Sequence, residues 1–240
     1  MPVDEAARRL DVNNARVRAM LASGQLEGDK VGGRWLVRDS SLRRRQRERP
    51  ESGRQFSSAN AWAALFLASG RKVPGLRSSE RRRLLRLLDE RGLEGLKGRF
   101  HRRGWPHSFA AHPGILRHVA DDPLLVLSGI SAASFHRLGL SGGEELYAYV
   151  PASALPQLVS RFALARPEGN ANVELRAVPD VVWPFEEHFA PIAAVALDLA
   201  QEPDARSARI GLQILRQLDK KRGWRAAESS RRGAYLARAH

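Results

Sequence analysis

The chain has 240 residues, 43% of them hydrophobic, and a mean hydropathy of −0.39, values typical of a folded globular protein rather than a disordered one. It has no cysteine, which excludes disulfides and thiolate metal sites. Its formal net charge of +14 predicts a polyanionic partner.

The sequence has no apolar run of about 18 residues, so we expect no membrane partner and no membrane-spanning helix. Residues 1–10 carry acidic side chains where a secretion signal would have a basic and then an apolar stretch. We therefore expect a cytoplasmic protein.

The positive charge is concentrated in three segments. Residues 1–49 carry a net charge of +5, residues 71–103 carry +8 and residues 200–240 carry +6, whereas residues 104–199 carry −5. A mildly acidic block therefore lies between basic ones.

The first 22 residues have the spacing of two short helices. The first helix is predicted from the apolar positions Val3, Ala6, Ala7 and Leu10. Asn13 is a good N-cap for the second helix, which Ser23 and Gly24 would end. Two short helices joined by a tight turn are typical of a helix-turn-helix.

A small hairpin is predicted after these helices. The segments 26–30 and 34–38 read as short strands around Gly32 and Gly33, which allow the positive backbone angles of a tight turn. Trp35 is expected to anchor this wing on the helices rather than to stack on a base. A further short helix over 41–48 then leads into a segment rich in proline, glycine and serine.

In a helix-turn-helix the outward residues at the start of the second helix reach base edges in the major groove. The residues predicted to read bases are Asn13, Asn14, Arg16 and Arg18. The residues predicted to contact phosphates or the minor groove are Lys30 and Arg34 of the wing and Arg43, Arg44 and Arg45 after it.

The block "VDEAARRLDVNNARVRAMLASGQLEGDKVGGRWLVRDSSL" resembles the winged helix-turn-helix of the excisionase/MerR type. The resemblance covers about 45 residues and implies a winged fold whose second helix lies in a DNA groove. Arg16 stands where that family often has a small hydroxyl residue, which leaves the base preference open.

The remainder predicts a larger domain of mixed helices and strands. Alternating residues mark the strands "ELYAYVP" and "NVELRAVP", and an apolar stripe between them indicates a helix, so a small βαβ unit is expected. Further helices are predicted over 59–68, over 131–138, over 192–200, over 205–220 and, capped by Ser78 or Ser79, in "ERRRLLRLLDERG". A second basic patch is predicted from Arg81, Arg82, Arg83, Arg86, Arg102 and Arg103, with a solvated helix face as an equal alternative.

The predicted fold class is therefore α+β, with an N-terminal winged helix-turn-helix and a larger mixed α/β domain with a small sheet. We assign residues 1–49 to the winged domain, 50–58 to a linker, 59–220 to the larger domain and 221–240 to a basic tail. Residues 56–220 resemble the C-terminal part of AbiE-type antitoxins in the stretches "HPGILRHVADDPLLVLSGISAASFHRLGL", "ELYAYVP" and "NVELRAVPD". The resemblance implies a repressor of its own operon with a functional link to a nucleotidyltransferase-like toxin.

We find no catalytic or metal-binding constellation and expect no cofactor. The histidines between 101 and 118 lack the spacing of a helical ligand pair. Asp198, Asp204 and Arg206 are interpreted as a helix cap and a surface ion pair, and Ser131 as a helix cap.

The predicted function is sequence-specific binding of double-stranded DNA by a transcriptional regulator, as a homodimer on paired half-sites because one helix reads few base pairs. An autoregulating antitoxin is the specific form expected. Two alternatives remain open. One is an enzyme that processes nucleic acid and uses the winged domain to reach it, and the other is an accessory DNA-binding protein of a phage or recombination system.

Overall fold

The computed structural model describes residues 1–22, 25–47, 55–140, 144–167 and 171–236. The described part belongs to the α+β class. The predicted helix stop at Ser23 and Gly24 lies outside the described residues, as do most of the predicted linker and the last four residues of the predicted tail.

The N-terminal unit consists of three short helices and a hairpin. Its elements are α1 (Val3–Leu10), α2 (Asn14–Ala22), β1 (Gly28–Val31), β2 (Arg34–Val37) and α3 (Asp39–Arg47). Asp11 ends α1 in a left-handed conformation with φ 56°, which turns the chain sharply into α2. A small apolar core joins the elements, with Val17, Leu26 and Leu42 at or below 1% exposure.

The larger unit is built on a mixed four-stranded sheet with helices packed against it. The helices are α4 (Ser58–Ala68), α5 (Ser78–Leu96), α6 (Leu116–Ala120), α7 (Leu155–Arg161), α8 (Ile192–Leu199) and α9 (Ala205–Leu236). The strands are β3 (Trp105–Phe109), β4 (Val126–Leu127), β5 (Leu146–Pro151) and β6 (Val173–Val178), in the spatial order β3-β6-β5-β4. β5 and β6 are parallel and α7 connects them, so the predicted βαβ unit is confirmed.

The two faces of this sheet bury different cores. On β5, Leu146, Ala148 and Val150 belong to one apolar cluster, and Tyr149 belongs to the other, which packs against α4, α5, α8 and α9. The alternation predicted in "ELYAYVP" is therefore present, but both faces of the strand are buried. Because successive side chains of a strand point to opposite faces, Tyr147 lies on the face that Tyr149 occupies.

Some predicted elements differ from the structure. The helix predicted over 131–138 is a short 3-10 helix, Gly129–Ala132, followed by turns, because Gly129 and Arg137 adopt left-handed backbone angles that an α-helix does not allow. Neither predicted serine caps α5: its N-cap is Arg77, which makes no side-chain cap bond. Ser131 is not a helix cap either, since its hydroxyl accepts a bond from the Tyr147 N–H at 2.9 Å.

Two predicted segment boundaries, the end of the linker and the start of the tail, also differ from the structure. Phe56, placed in the linker, is buried against Phe100 with ring centroids 5.2 Å apart, and Ser57 caps α4, so the core of the larger unit begins by residue 56. The predicted tail begins at residue 221, inside α9, which continues to Leu236. Within the described residues, no helix has the length and apolarity needed to cross a bilayer.

Gly211 allows α8 and α9 to pack closely. A Cβ at this position would lie 2.4 Å from the Ala200 nitrogen and 2.6 Å from the Ala196 oxygen, and these backbone atoms cannot rotate away. We expect Gly211→Ala to lower the free energy of unfolding by about 1–3 kcal/mol, measured by urea denaturation, despite the better helix propensity of alanine.

Gly95→Ala is the matched control for this substitution. Gly95 lies in α5, where an added Cβ would meet only the Arg91 Cβ at 3.8 Å, so the variant should be as stable as the wild type or more so. A Gly211→Ala protein no less stable than Gly95→Ala would contradict the close packing of α8 on α9.

Candidate nucleic-acid interface

Helix α2 presents a polar face to solvent. Its inner face buries Val17, Met20 and Leu21, whereas Asn14, Arg16 and Arg18 are all exposed. Neither Arg16 nor Arg18 makes an ion pair with any described residue. Their guanidinium groups are therefore available to an external acceptor.

Asn13 has a different role from the other three predicted base-reading residues. Its Oδ1 accepts the Arg16 backbone N–H at 2.8 Å, which is the N-cap bond that the sequence predicts. A bidentate contact to adenine needs both the oxygen and the nitrogen of the amide. Because the cap occupies the oxygen of Asn13, Asn14 is the better candidate for reading a base.

The hairpin turns at Gly32 and Gly33, which have φ of 55° and 79°, the left-handed values of a two-residue turn that suits twisted strands. Lys30 pairs with Trp35, and Val31 pairs with Arg34. Paired residues share a face of a hairpin, so Lys30 and Arg34 lie on opposite faces of the tip. Trp35 packs against the small core, as predicted, while both basic residues are exposed.

The predicted phosphate contacts on α3 are not equivalent. The exposed Arg43 forms an ion pair with Asp39, which also accepts a bond from Arg9 at 3.2 Å. Arg45 is half-buried and has a partner of its own. The Arg44 side chain lies outside the part of the chain that the structure describes. Arg43 and Arg45 are therefore less open to phosphate than the two basic residues of the hairpin tip.

Polar contacts join the hairpin to the edge of the larger sheet. Asp29 of β1 forms ion pairs with Arg38 at 3.0 Å and with Arg166 of the larger unit. The Glu27 carboxylate accepts the Ser108 N–H of the edge strand β3 at 3.2 Å. The hairpin thus contacts the larger unit while α2 and the hairpin tip stay exposed.

The predicted second basic patch is partly present. Arg81, Arg82, Arg83 and Arg86 of α5 are exposed, and so is Arg102. Among the described residues, none of these five makes an ion pair with a carboxylate. Burial of Arg99, followed by the charges of Arg91 and Arg83, lowers the pKa of Arg99.

The prediction for Arg103 is wrong, because this side chain is fully buried. Its Nη2 donates to Asp198 Oδ1 and to Gln201 Oε1, both at 2.6 Å, and its Nε donates to Tyr149 Oη at 3.0 Å. Burial alone would lower the pKa of Arg103, but Tyr149 and Asp198 raise it above its usual value, so the group stays charged. It is bound by protein atoms and cannot contact phosphate.

Asp198 is the centre of this buried network, so its interpretation as part of a surface ion pair is also wrong. Its Oδ2 accepts from Ser128 at 2.5 Å and from Tyr149 at 2.7 Å, and its Oδ1 accepts from Tyr147 at 3.3 Å as well as from Arg103. Burial raises the pKa of both tyrosines, so they remain protonated donors. Asp204 does have the predicted role of a cap, accepting the Ser207 N–H at 2.7 Å.

Arg176 of β6 is the second buried arginine of this network. Its Nε donates to the Tyr147 hydroxyl and lies 3.9 Å from Asp198 Oδ1, and its Nη2 lies 3.5 Å from Glu174. The parallel register pairs Tyr147 with Glu174 and Tyr149 with Arg176, which places all four on one sheet face below α8. Two sequence features could have indicated this network. One is the alternation of polar or aromatic side chains with apolar ones along β5 and β6, and the other is the single aspartate in the apolar helix "AVALDLA".

A cavity of about 340 Å³ lies beside this network, and its lining includes the carboxyl side chains of Glu145, Glu174, Asp198, Glu202 and Asp204. Burial, followed by the charges of Glu174, Asp198 and Glu145, raises the pKa of Glu202 to about 8. Among the described residues, no group of three or more histidine or carboxylate side chains is placed to hold a metal ion.

The raised pKa of Glu202 predicts a pH dependence of stability. The folded state holds this proton up to about pH 8, whereas an unfolded glutamate releases it near pH 4.3. The contribution of Glu202 therefore lowers the free energy of unfolding progressively as the pH rises from about 4.3 to 8. We expect Glu202→Gln to raise the melting temperature at pH 8 and to change it little at pH 4.5.

The control for this variant is Glu90→Gln, which removes an exposed carboxylate from α5. It should shift the melting temperature equally little at both pH values. If Glu202→Gln and Glu90→Gln have the same profile against pH, the Glu202 carboxyl does not keep its proton in the folded state.

Comparison with known proteins gives one short match. No protein-family model matches the chain, and no solved structure matches it. A protein described as a probable plasmid-partitioning protein ParA, from Thermus thermophilus, is 51% identical over 39 residues. These residues are 16% of this chain and 12% of that protein, so the chain matches about an eighth of the length of this relative.

Proposed function

We propose that this protein is a cytoplasmic, sequence-specific DNA-binding transcriptional regulator. Its N-terminal unit would act as a winged helix-turn-helix, with α2 in the major groove and the hairpin as the wing. The observation that carries the proposal is that Asn14, Arg16 and Arg18 of α2 are all exposed, and that neither arginine makes an ion pair with a described residue. Amide and guanidinium groups match the edges of adenine and guanine.

The geometry of the unit supports this proposal in two further ways. The Asn13 cap and the buried inner face fix α2 on a small core, so its outward side chains project from a rigid element. Lys30 and Arg34 lie on opposite faces of the hairpin tip, an arrangement that can reach both walls of a minor groove. Further positive charge for phosphates comes from the exposed arginines of the larger unit, Arg81, Arg82, Arg83, Arg86 and Arg102.

The biological role follows from the resemblance to AbiE-type antitoxins. We propose that the protein represses its own operon, as a homodimer on paired half-sites, and counters a nucleotidyltransferase-like toxin. The match to a probable plasmid-partitioning protein is short and adds only that part of this chain is similar to part of such a protein.

Selection of bound fragments from sheared genomic DNA, followed by sequencing, tests this function. The full-length protein at physiological salt should enrich one motif, repeated as two half-sites, including a copy upstream of its own coding sequence. Enrichment without any shared motif would reject sequence-specific regulation.

The same selected fragments separate the alternatives. Incubation with the protein and a divalent metal ion should leave them intact, since cleavage or modification would show a nucleic-acid-processing enzyme. A strong bend at the site, measured by circularly permuted probes, with no effect on transcription would instead show an accessory recombination protein.

A further inference from the structure

A second cavity, of about 380 Å³, lies between α4 and the segment 181–186 that follows β6. Four aromatic residues dominate its lining: Trp62 and Phe66 of α4, and Trp183 and Phe185 of the segment. Phe185 packs edge-to-face on Trp62, with centroids 4.6 Å apart, and on Trp183, with centroids 4.8 Å apart. The volume of the cavity falls within the range of small-molecule sites.

Three of the four aromatic side chains of this cavity are only partly buried by the protein itself. Trp62 is 2% exposed, whereas Phe66, Trp183 and Phe185 are of intermediate exposure although they belong to the apolar core. Aromatic rings gain most from burial and from edge-to-face or offset stacking with another ring. A ligand with an aromatic ring would complete both interactions.

Two residues of opposite charge line the cavity. Lys72 and Glu186 line it, both are exposed, and neither makes an ion pair with a described residue. Their chain neighbours Arg71 and Glu187 do pair, with 2.8 Å between Nη2 and Oε2. This pair joins the two chain segments that carry Lys72 and Glu186.

We propose that this cavity binds a small aromatic amino acid as a zwitterion. The ring occupies the aromatic lining, the ligand carboxylate pairs with Lys72, and the ligand ammonium pairs with Glu186. A neutral aromatic compound would leave both charges unused, and an aromatic compound with one charge would use only one. The cavity lies in the larger unit, and the inference does not depend on DNA binding.

Titration of the full-length protein with L-phenylalanine tests this site, by calorimetry and by tryptophan fluorescence excited where phenylalanine does not absorb. Trp62 and Trp183 line the cavity, so saturable binding should change the emission. 3-Phenylpropionate lacks the ammonium group and 2-phenylethylamine lacks the carboxylate, so each should bind roughly two- to fivefold more weakly, as expected for the loss of an exposed ion pair.

Variants of the two charged residues assign the ends of the ligand. Lys72→Met should weaken L-phenylalanine and 3-phenylpropionate but not 2-phenylethylamine, and Glu186→Gln should weaken L-phenylalanine and 2-phenylethylamine but not 3-phenylpropionate. Lys220→Met, a substitution on the exposed surface of α9, should change none of the three affinities.

Ala59→Leu tests the cavity itself, because Ala59 lines it from an exposed position where a larger side chain should not disturb folding. This variant should abolish binding of L-phenylalanine, whereas Ala152→Leu, on an exposed turn, should not. Absence of saturable binding, or binding that Ala59→Leu leaves unchanged, would overturn the proposal. Self-association that Ala59→Leu abolishes would also overturn it, since a second copy of the chain would then occupy the cavity.

Discussion

Asp198→Asn is expected to lower the free energy of unfolding by about 3–5 kcal/mol, the cost of removing one partner of a buried ion pair. The carboxylate is the acceptor for Arg103, Ser128, Tyr147 and Tyr149, so its loss leaves a fully buried guanidinium without its counter-charge. Urea denaturation followed by circular dichroism measures the change.

A double-mutant cycle with Arg103→Met separates the ion pair from simple loss of packing. If the two charges stabilise each other, Asp198→Asn with Arg103→Met should be less destabilised than the sum of the single variants. Tyr149→Phe removes one hydrogen bond of the network and should cost about 1–3 kcal/mol, which remains measurable if Asp198→Asn does not fold. Additive effects in the cycle would show that Asp198 and Arg103 are independent.

The second large effect concerns DNA binding. Replacing both Arg16 and Arg18 by alanine should weaken binding to the selected site by about 2–6 kcal/mol, because each arginine that reads a base is worth about 1–3 kcal/mol. Arg16→Ala alone should lose about 1–3 kcal/mol and relax the preference at one base position. Electrophoretic mobility shift with the selected fragment and with single-base variants measures both.

The control for the arginine variants is Arg117→Ala, which removes an exposed arginine from α6 of the larger unit. It should change affinity little and leave the base preference intact. Equal losses for Arg16→Ala and Arg117→Ala, with no change of base preference in either, would indicate that α2 contributes only charge.

Local signals in the sequence predicted the N-terminal unit well. The glycine pair fixed the place of the hairpin turn because few other residues adopt its left-handed angles. Asn13 predicted its cap because a short amide side chain at that position can reach the N–H three residues on. The βαβ unit was predictable because alternation in two strands and a stripe in one helix are each local patterns.

Contacts that depend on distant parts of the chain were not predictable in this way. Arg102 and Arg103 are neighbours with the same side chain, yet one is exposed and the other buried. The difference depends on Asp198, which lies 95 positions away in sequence from Arg103. The edge strand β3 was missed for a related reason, since Pro106 disfavours a strand prediction and the strand is formed by pairing with β6.

The absence of cysteine allows a direct test of where α2 lies on DNA. Ala15→Cys places a single thiol on the exposed face of α2, where an iron-chelate probe can be attached to cleave nearby DNA. We predict cleavage of both strands within one half-site, with the offset between the cleavage positions on the two strands that a probe in the major groove produces. The same probe attached at Gln157→Cys on α7 should give no cleavage. Absence of cleavage from residue 15 when the DNA is fully bound would contradict the binding of α2 in the major groove.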